Sequence, residues 1–312
     1  MARLEAHIPP RREVKNHSID STRWDGFVFR PGDVVIATWA KGGTTWLQQI
    51  VGQLVFRGAA GVPVLDVSPW IDRRGIPKEA LFALLEKQTH RRFVKTHLPA
   101  DALPIVPEAR YIYIGRDGRD VVWSWYNHHR NLSPKVFEYM NSLPDRVGPP
   151  FEPLTCDVRQ CFHRWLDEDG YPLWPFWSLV RSWWDMREQP NVLLMHFNDL
   201  KTDLEGQIRR IARFLDIEID DAVWPDIVRH STFEYMKRNA ATLSAILDSS
   251  FVGGAETFIH KGTGGGWRDV LTPAEVQKYK AAAEKNLGAE CALWLETGQI
   301  VSTRLGSARA AG

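Results

Sequence analysis

The sequence predicts an α/β fold in which a central, mostly parallel sheet is flanked by helices. Two observations carry the prediction. Short runs rich in β-branched and aromatic residues alternate along the chain with stretches of helical period, the pattern of a parallel sheet with crossover helices. The first of these runs is nearly continuously apolar rather than alternating, as expected of a strand buried on both faces.

The elements follow in chain order. Residues 33–39 (DVVIATW) form the first run. Beyond a glycine turn, Trp46, Leu47, Ile50, Val51, Leu54 and Val55 recur in pairs four residues apart, one apolar stripe on a helix. Residues 92–96 and 110–115 read as the second and third strands, and 118–130 as a helix. Residues 191–197 (NVLLMHF) make a fourth strand, followed by an amphipathic helix at 205–215. Thr272-Pro273-Ala274-Glu275 opens a late helix, with Thr as cap, Pro at the first position and Glu returning to the cap. The stretches 57–90, 131–175 and 237–262, rich in Pro or Gly, read as irregular lids or connections. No repeat, low-complexity tract or clear linker divides the chain, so one domain is expected over 1–312, with a core from about 26 to 290 and flexible ends.

Charge restricts function. Lys plus Arg number 39 and Asp plus Glu 38, a balance that argues against a general binder of nucleic acid or membrane surfaces. Any anion site must be local. Cys156, Cys161 and Cys291 are odd in number and lack metal-ligand spacing. That fits a reduced compartment without a disulfide framework, hence a cytoplasmic location. The N-terminus lacks a signal-like apolar run, and no run of roughly 18 apolar residues suggests a membrane span. The 14 Trp residues are many for this length. Most should be core, and some can line a pocket for an apolar or aromatic ligand.

The most informative segment is Thr38-Trp39-Ala40-Lys41-Gly42-Gly43-Thr44-Thr45-Trp46, from strand through glycine turn to helix. Free N–H groups and the helix dipole make such a turn an anion site. Gly42 and Gly43 allow close approach of the backbone, Thr44 and Thr45 add hydroxyls, and Lys41 adds a cation. A Gly pair alone would be turn chemistry. Strand, Lys, two Gly, two Thr and helix together favour phosphate binding. The order is not Gly-x4-Gly-Lys-Ser/Thr, because Lys precedes the glycines.

Two further strand ends carry candidate chemistry. His97 directly follows the second strand, where open α/β sheets place their sites, and a neutral imidazole can take a proton from a hydroxyl. Taken singly, it would pass for an ordinary loop His. Arg116 ends the third strand and Ser124 lies eight residues on, one to two turns into the next helix. Arg suits phosphate bidentately, while the plain alternative pairs it with Asp117 or Asp120 at the surface. His260-Lys261-Gly262-Thr263-Gly264-Gly265-Gly266-Trp267 is a third, glycine-rich anion element.

These segments, in this order over about residues 26–290, resemble the cytosolic-type sulfotransferase family, whose bacterial-like members this chain suggests. The loop at Lys41 resembles the family's Tyr-Pro-Lys-Ser-Gly-Thr-Thr-Trp, with Trp39-Ala40 for Tyr-Pro and Gly42 for Ser. The resemblance implies a P-loop-like three-layer fold. The implied co-substrate is 3′-phosphoadenosine 5′-phosphosulfate (PAPS), giving 3′-phosphoadenosine 5′-phosphate (PAP), with no metal. His97, in Lys-Thr-His-Leu-Pro, becomes the general base. Lys95 becomes a supporting cation, and Lys41 offsets charge on the leaving oxygen. Arg116 and Ser124 match the 3′-phosphate motif. His260, Lys261 and Gly262 match the Arg-Lys-Gly-x-x-Gly-Asp-Trp signature, with His260 for Arg and Gly266 for Asp, a change expected to weaken 3′-phosphate binding or make it pH dependent. Trp46, Ser231, Phe233 and Phe197 fall at nucleotide-contact positions.

The acceptor is expected to be a small hydroxyl compound: a phenol, a steroid or an alcohol. Trp70, Trp125, Tyr126 and His128 are wall candidates, and Trp174, Trp177, Trp183 and Trp184 are wall or core. A partial match at Arg268-x3-Thr272-Pro273-x3-Gln277 to the family's dimer motif leaves a homodimer open. Two rival functions are a P-loop phosphotransferase, which would need Mg²⁺, and a non-catalytic nucleotide-binding protein on the same fold.

Overall fold

The structure is a computed structural model and describes residues 11–145 and 147–300. Of the ends expected to be flexible outside about 26–290, residues 1–10 and 301–312 lie outside the described residues. The described parts are instead built into the fold, with a helical turn at Ser21–Trp24, the helix Ala289–Thr297, and Ile19, Trp24, Trp294 and Leu295 buried. Four strands form a wholly parallel sheet in the order β2-β1-β3-β4, with β1 at Val34–Ala37, β2 at Phe93–Thr96, β3 at Arg110–Gly115 and β4 at Val192–His196. Val34 pairs with Phe93 on one side and Arg110 on the other, and Tyr111 pairs with Val192. The chain places β2 on one side of β1 and β3 on the other, so strand order reverses between β1 and β3. Ligand crevices of open sheets lie at the carboxyl end of such a reversal.

Alternate strand residues explain the three layers. Val35, Ala37, Tyr111, Tyr113, Val192 and Leu194 face one apolar cluster, under the helices Phe176–Asp185, Pro273–Leu287 and Ala289–Thr297. Val34, Ile36, Ile112, Ile114 and Met195 face the other, under Thr44–Val55 and Leu204–Phe214. Each fully buried large side chain contributes roughly 1.5–3 kcal/mol, so the strands are held from both faces. A smaller cluster gathers Val64, Met236, Leu243, Leu247, Phe251 and Ile259. Trp46 packs against both this cluster and the second face of the sheet.

Element boundaries come close to expectation, but several elements differ, including helices at Trp224–His230, Phe233–Arg238 and Ala289–Thr297 that were not expected from the sequence. β1 ends at Ala37, two residues early, because the backbone turns away at Thr38 to build the loop. The stretches expected to be irregular contain helices at Lys78–Glu86, Pro134–Ser142 and Val158–Asp167, with short turns at Ala240–Leu243, Leu247–Ser250 and Ala255–Phe258. The Val158–Asp167 helix carries a legible signal: Asp157 and Gln160 form a capping box, and Cys161, Phe162, Trp165 and Leu166 are its buried stripe. The helix Phe176–Asp185 was not anticipated; its stripe includes Trp177, Trp183 and Trp184, which are core.

The expectation of no disulfide is corrected. Cys156 and Cys161 are bonded, with Cα atoms 5.9 Å apart. The helix start brings them together, since Cys156 precedes the cap Asp157 and Cys161 lies in the first turn. Cys291 is free and buried. Among the described residues, no helix is long and apolar enough to cross a membrane.

Candidate active site

The loop after β1 is shaped by its own sterics. Lys41 has φ 68° and Gly43 φ 122°, a region costly for side chains. A Cβ on Gly42 would stand 2.1 Å from Thr38 Oγ1, and one on Gly43 would stand 2.9 Å from Ile114 Cδ1. Gly43 caps Thr44–Val55 without a side-chain cap bond, leaving first-turn N–H donors to a ligand. Thr44 is buried and Thr45 half-buried within that turn. Lys41 Nζ lies 3.1 Å from His128 Nδ1 and 5.2 Å from the Phe258 ring centre. Burial first, then the charges of Lys95 and Arg116, push the Lys41 amine down to about 7.

Across the strand reversal stands Arg116, at the end of β3. Its Nη1 donates to the Lys41 carbonyl at 3.2 Å and its Nη2 to the Thr263 carbonyl at 3.3 Å. Its guanidinium covers the Phe197 ring at 4.0 Å. The alternative pairing with Asp117 or Asp120 does not occur. Asp117 binds Arg119, with Arg119 Nη2 2.6 Å from Asp117 Oδ2, and Asp120 accepts from Gly265 N at 2.6 Å. Arg116, 8% exposed, makes no ion pair with a carboxylate among the described residues, although Asp120 and Asp117 favour its charge from nearby, and its Nε has no hydrogen-bond partner among them. The Asp120–Gly265 bond also pins the glycine-rich loop over the start of the helix Gly118–Arg130. Ser124 lies half-buried on that helix.

His97, 4% exposed, follows β2. Its Nδ1 lies 2.6 Å from the Thr38 carbonyl. A carbonyl only accepts, so Nδ1 carries the proton and Nε2 keeps its lone pair. The His97 N–H donates to Asp72 Oδ2 at 3.1 Å, and the Trp70 indole donates to the same oxygen at 2.7 Å. Trp70 meets the imidazole edge-on at 4.7 Å between centres, and Trp174 lies at 5.5 Å. Burial, with Lys95 and Lys41 nearby, holds His97 well below the usual imidazole range, so it is neutral. Lys95 Nζ sits 4.6 Å from the Trp70 ring centre. Burial and then Arg73 push it down to about 8, against the opposing pull of Asp72.

A third group surrounds Trp46. Its indole donates to the Ser231 carbonyl at 2.7 Å, and its ring meets Phe197 edge-on at 5.4 Å. Ser231 is fully buried, and its Oγ has no partner among the described residues. A Cβ on Gly262 would stand 2.5 Å from the Phe233 ring, so the glycine-rich loop lies directly against Phe233. His260 and Lys261 are exposed on that loop, and the His260 carbonyl accepts from Lys237 Nζ at 3.0 Å.

The structure thus joins the loop of Lys41, Arg116, His97, Lys95, Trp46, Ser231, Phe233 and Gly262 at the carboxyl ends of β1, β2 and β3. Of the wall candidates, Trp70 and His128 reach this centre, whereas Trp125 packs on His129 at 5.4 Å. Trp174, left open between wall and core, does both. Sequence reasoning missed Asp72, which lies in a stretch without periodic signal, and the link between Lys41 and His128.

Comparisons with known proteins identify the family and the fold. A family model described as a sulfotransferase domain matches residues 31–290. A glycolipid sulfotransferase of Mycobacterium tuberculosis (strain ATCC 25177 / H37Ra) is 30% identical over 301 residues, covering 90% of this chain and 92% of its own. Mouse sulfotransferase 1B1 is 31% identical over 281 residues, covering 85% and 86%. Among solved structures, mouse sulfotransferase SULT7A1 complexed with PAP superposes with a TM-score of 0.68 at 22% identity, covering 88% and 91%. Retinol dehydratase in a complex with retinol and PAP superposes with a TM-score of 0.66 at 24% identity, covering 85% and 84%. At these identities the superpositions speak for the fold.

Proposed function

The chain belongs to the sulfotransferase domain family, as a PAPS-dependent enzyme, and from that premise we propose that it moves a sulfuryl group from PAPS to a hydroxyl of a small phenolic, steroid-like or alcohol acceptor, with His97 as general base. One observation carries the reading: the Arg116 guanidinium is buried, not ion-paired with either neighbouring carboxylate, and set against the Lys41 turn at the strand reversal. A buried donor without a partner costs about 1–3 kcal/mol. Arg116 Nε and Ser231 Oγ are two such atoms, flanking the Trp46–Phe197 pair. An adenine nucleotide with a second phosphate would satisfy both ends.

The residues divide the work as follows. The Gly42–Thr45 backbone and hydroxyls would hold the 5′-phosphosulfate, Arg116 and Ser124 the 3′-phosphate with help from His260, Lys261 and Gly262, and Trp46 with Phe233 the adenine. The acceptor hydroxyl oxygen bonds to sulfur while its proton passes to His97 Nε2. The bond from sulfur to the bridging phosphate oxygen breaks, and PAP departs with that electron pair. The Lys41 ammonium offsets charge on the departing oxygen, with Lys95 beside it. The Thr38 carbonyl holds Nδ1–H throughout, so Nε2 is always the accepting atom. An acceptor wall of Trp70, Trp174 and Phe258 suits an aromatic or hydrophobic alcohol.

Calorimetry of PAP against ADP, without Mg²⁺, tests the donor assignment. PAP should bind at least about tenfold tighter, roughly 1.4 kcal/mol; equal binding, or tighter ADP, removes the 3′-phosphate site. His97→Ala should lower kcat by about 10²–10⁴ while leaving PAP affinity within about twofold. An unchanged kcat would remove the base. The reading also treats 1–312 as one domain and places it in the cytoplasm, which recovery with membranes or medium would contradict. A homodimer through 268–277 is the oligomer to test by sedimentation; there, Thr272 and Pro273 start a helix.

A further inference from the structure

The hydrogen-bond partner of Lys41 comes from outside the donor loop. Its Nζ lies 3.1 Å from His128 Nδ1, on the helix Gly118–Arg130 and one turn beyond Ser124. In its ammonium form, lysine only donates, so His128 must be neutral and present a lone pair at Nδ1. Two phenylalanines pack against the ring. Phe251 meets it edge-on at 5.0 Å and Phe258 at 5.9 Å, and Phe258 also underlies Lys41 Nζ at 5.2 Å. Phe251 is tied to the segment just after the same helix: Leu132 bridges Phe251, and Ser133 N donates to the Ser250 carbonyl at 2.9 Å. A ring held this firmly fixes the direction of the amine it accepts from.

We propose that His128 is a positioning residue of sulfuryl transfer, holding one of the three Lys41 N–H donors so that the other two point into the Gly42–Thr45 turn. The proposal rests on the role given to Lys41 above. A free lysine side chain samples many rotamers, and freezing it before the donor arrives removes that disorder from the reacting complex. Charge-assisted bonds to phosphate oxygens are roughly twice as strong as neutral ones, so the two free donors can engage the donor while the third stays anchored. The helix that carries Ser124 thereby also sets the cation of the donor loop.

The test uses the full chain and four variants, H128F, H128N, K41A and H128F/K41A, with steady-state kinetics and PAP calorimetry on each. Asn Oδ1 can take the place of Nδ1, whereas Phe keeps the packing and removes the acceptor. H128F should lower kcat about tenfold with donor KM and PAP Kd within about twofold. H128N should return kcat to within about threefold of the parent, and H128F should add nothing on K41A. An unchanged kcat in H128F overturns the proposal, as does an H128N as slow as H128F, which would leave His128 a packing residue only. A K41A enzyme with parental kcat would instead overturn the role of Lys41, and this proposal with it.

Discussion

Lys41 and Lys95 are the residues whose chemistry the surroundings alter most usefully. Burial and neighbouring cations, Lys95 and Arg116 for Lys41 and Arg73 for Lys95, bring their amines to about 7 and about 8, far from the ordinary lysine range near 10.4. Between pH 7 and 9 the free enzyme therefore holds part of each amine population neutral. A bound phosphate favours the charged form and raises both values, so binding takes up protons. Calorimetry of PAP at pH 8, in two buffers of different ionisation enthalpy, should show uptake of about one proton, and affinity should fall as pH rises from 7 to 9. No uptake would mean that these amines do not face the phosphates. His97 stays neutral across this window because its value is depressed in the same direction. The identities of these residues were legible in the sequence. Their pKa shifts were not, since desolvation depends on what covers a side chain.

Among the elements, the helix Pro273–Leu287 shows best how local sequence becomes tertiary structure. Thr272 and Glu275 form the expected capping box. Glu275 also receives Arg159 Nε at 2.8 Å and His163 Nε2 at 2.5 Å from the helix Val158–Asp167, so the cap also ties two helices together. Thr272→Ala should cost about 1 kcal/mol, lowering Tm by about 2 °C; an unchanged melting curve would mean the cap is redundant. The strand-to-helix turns were equally readable, because Gly42 and Gly43 answer a local steric demand. The helices inside 131–175 were hidden by their Pro and Gly content, although the Asp157–Gln160 box was present to be read. The Cys156–Cys161 bond was invisible for a related reason: five residues of separation mean nothing until a helix start folds the pair together.

At the scale of the molecule, two large clusters clamp the sheet, and the third, around Val64, Met236, Leu247 and Phe251, joins the second of them through Trp46. That third cluster is small and carries exposed Ile246 and Val252, so it should open at lower free energy than the sheet. Amide exchange should be faster over 240–259 than over β1 and β3. It should slow there when PAP binds, because Phe258 and Thr263 reach Lys41 and Arg116. Exchange at 240–259 as slow as in the sheet, with no response to PAP, would contradict this.

By itself the sequence determined the parallel α/β plan and pointed to three candidate anion elements. The plan rests on the period of apolar residues and the candidate loop on the sterics of glycine, whereas the pairing of Arg116 with Ser124 rests on a resemblance to the family's motif. Only the tertiary structure decided which partners those residues keep. It gave Asp117 to Arg119 and Asp120 to Gly265, leaving Arg116 without an ion-paired carboxylate among the described residues, and it set His128 against Lys41. Such choices join groups up to about 150 residues apart, and they depend on which side chains exclude water together, a property of the assembled fold that no local spacing encodes.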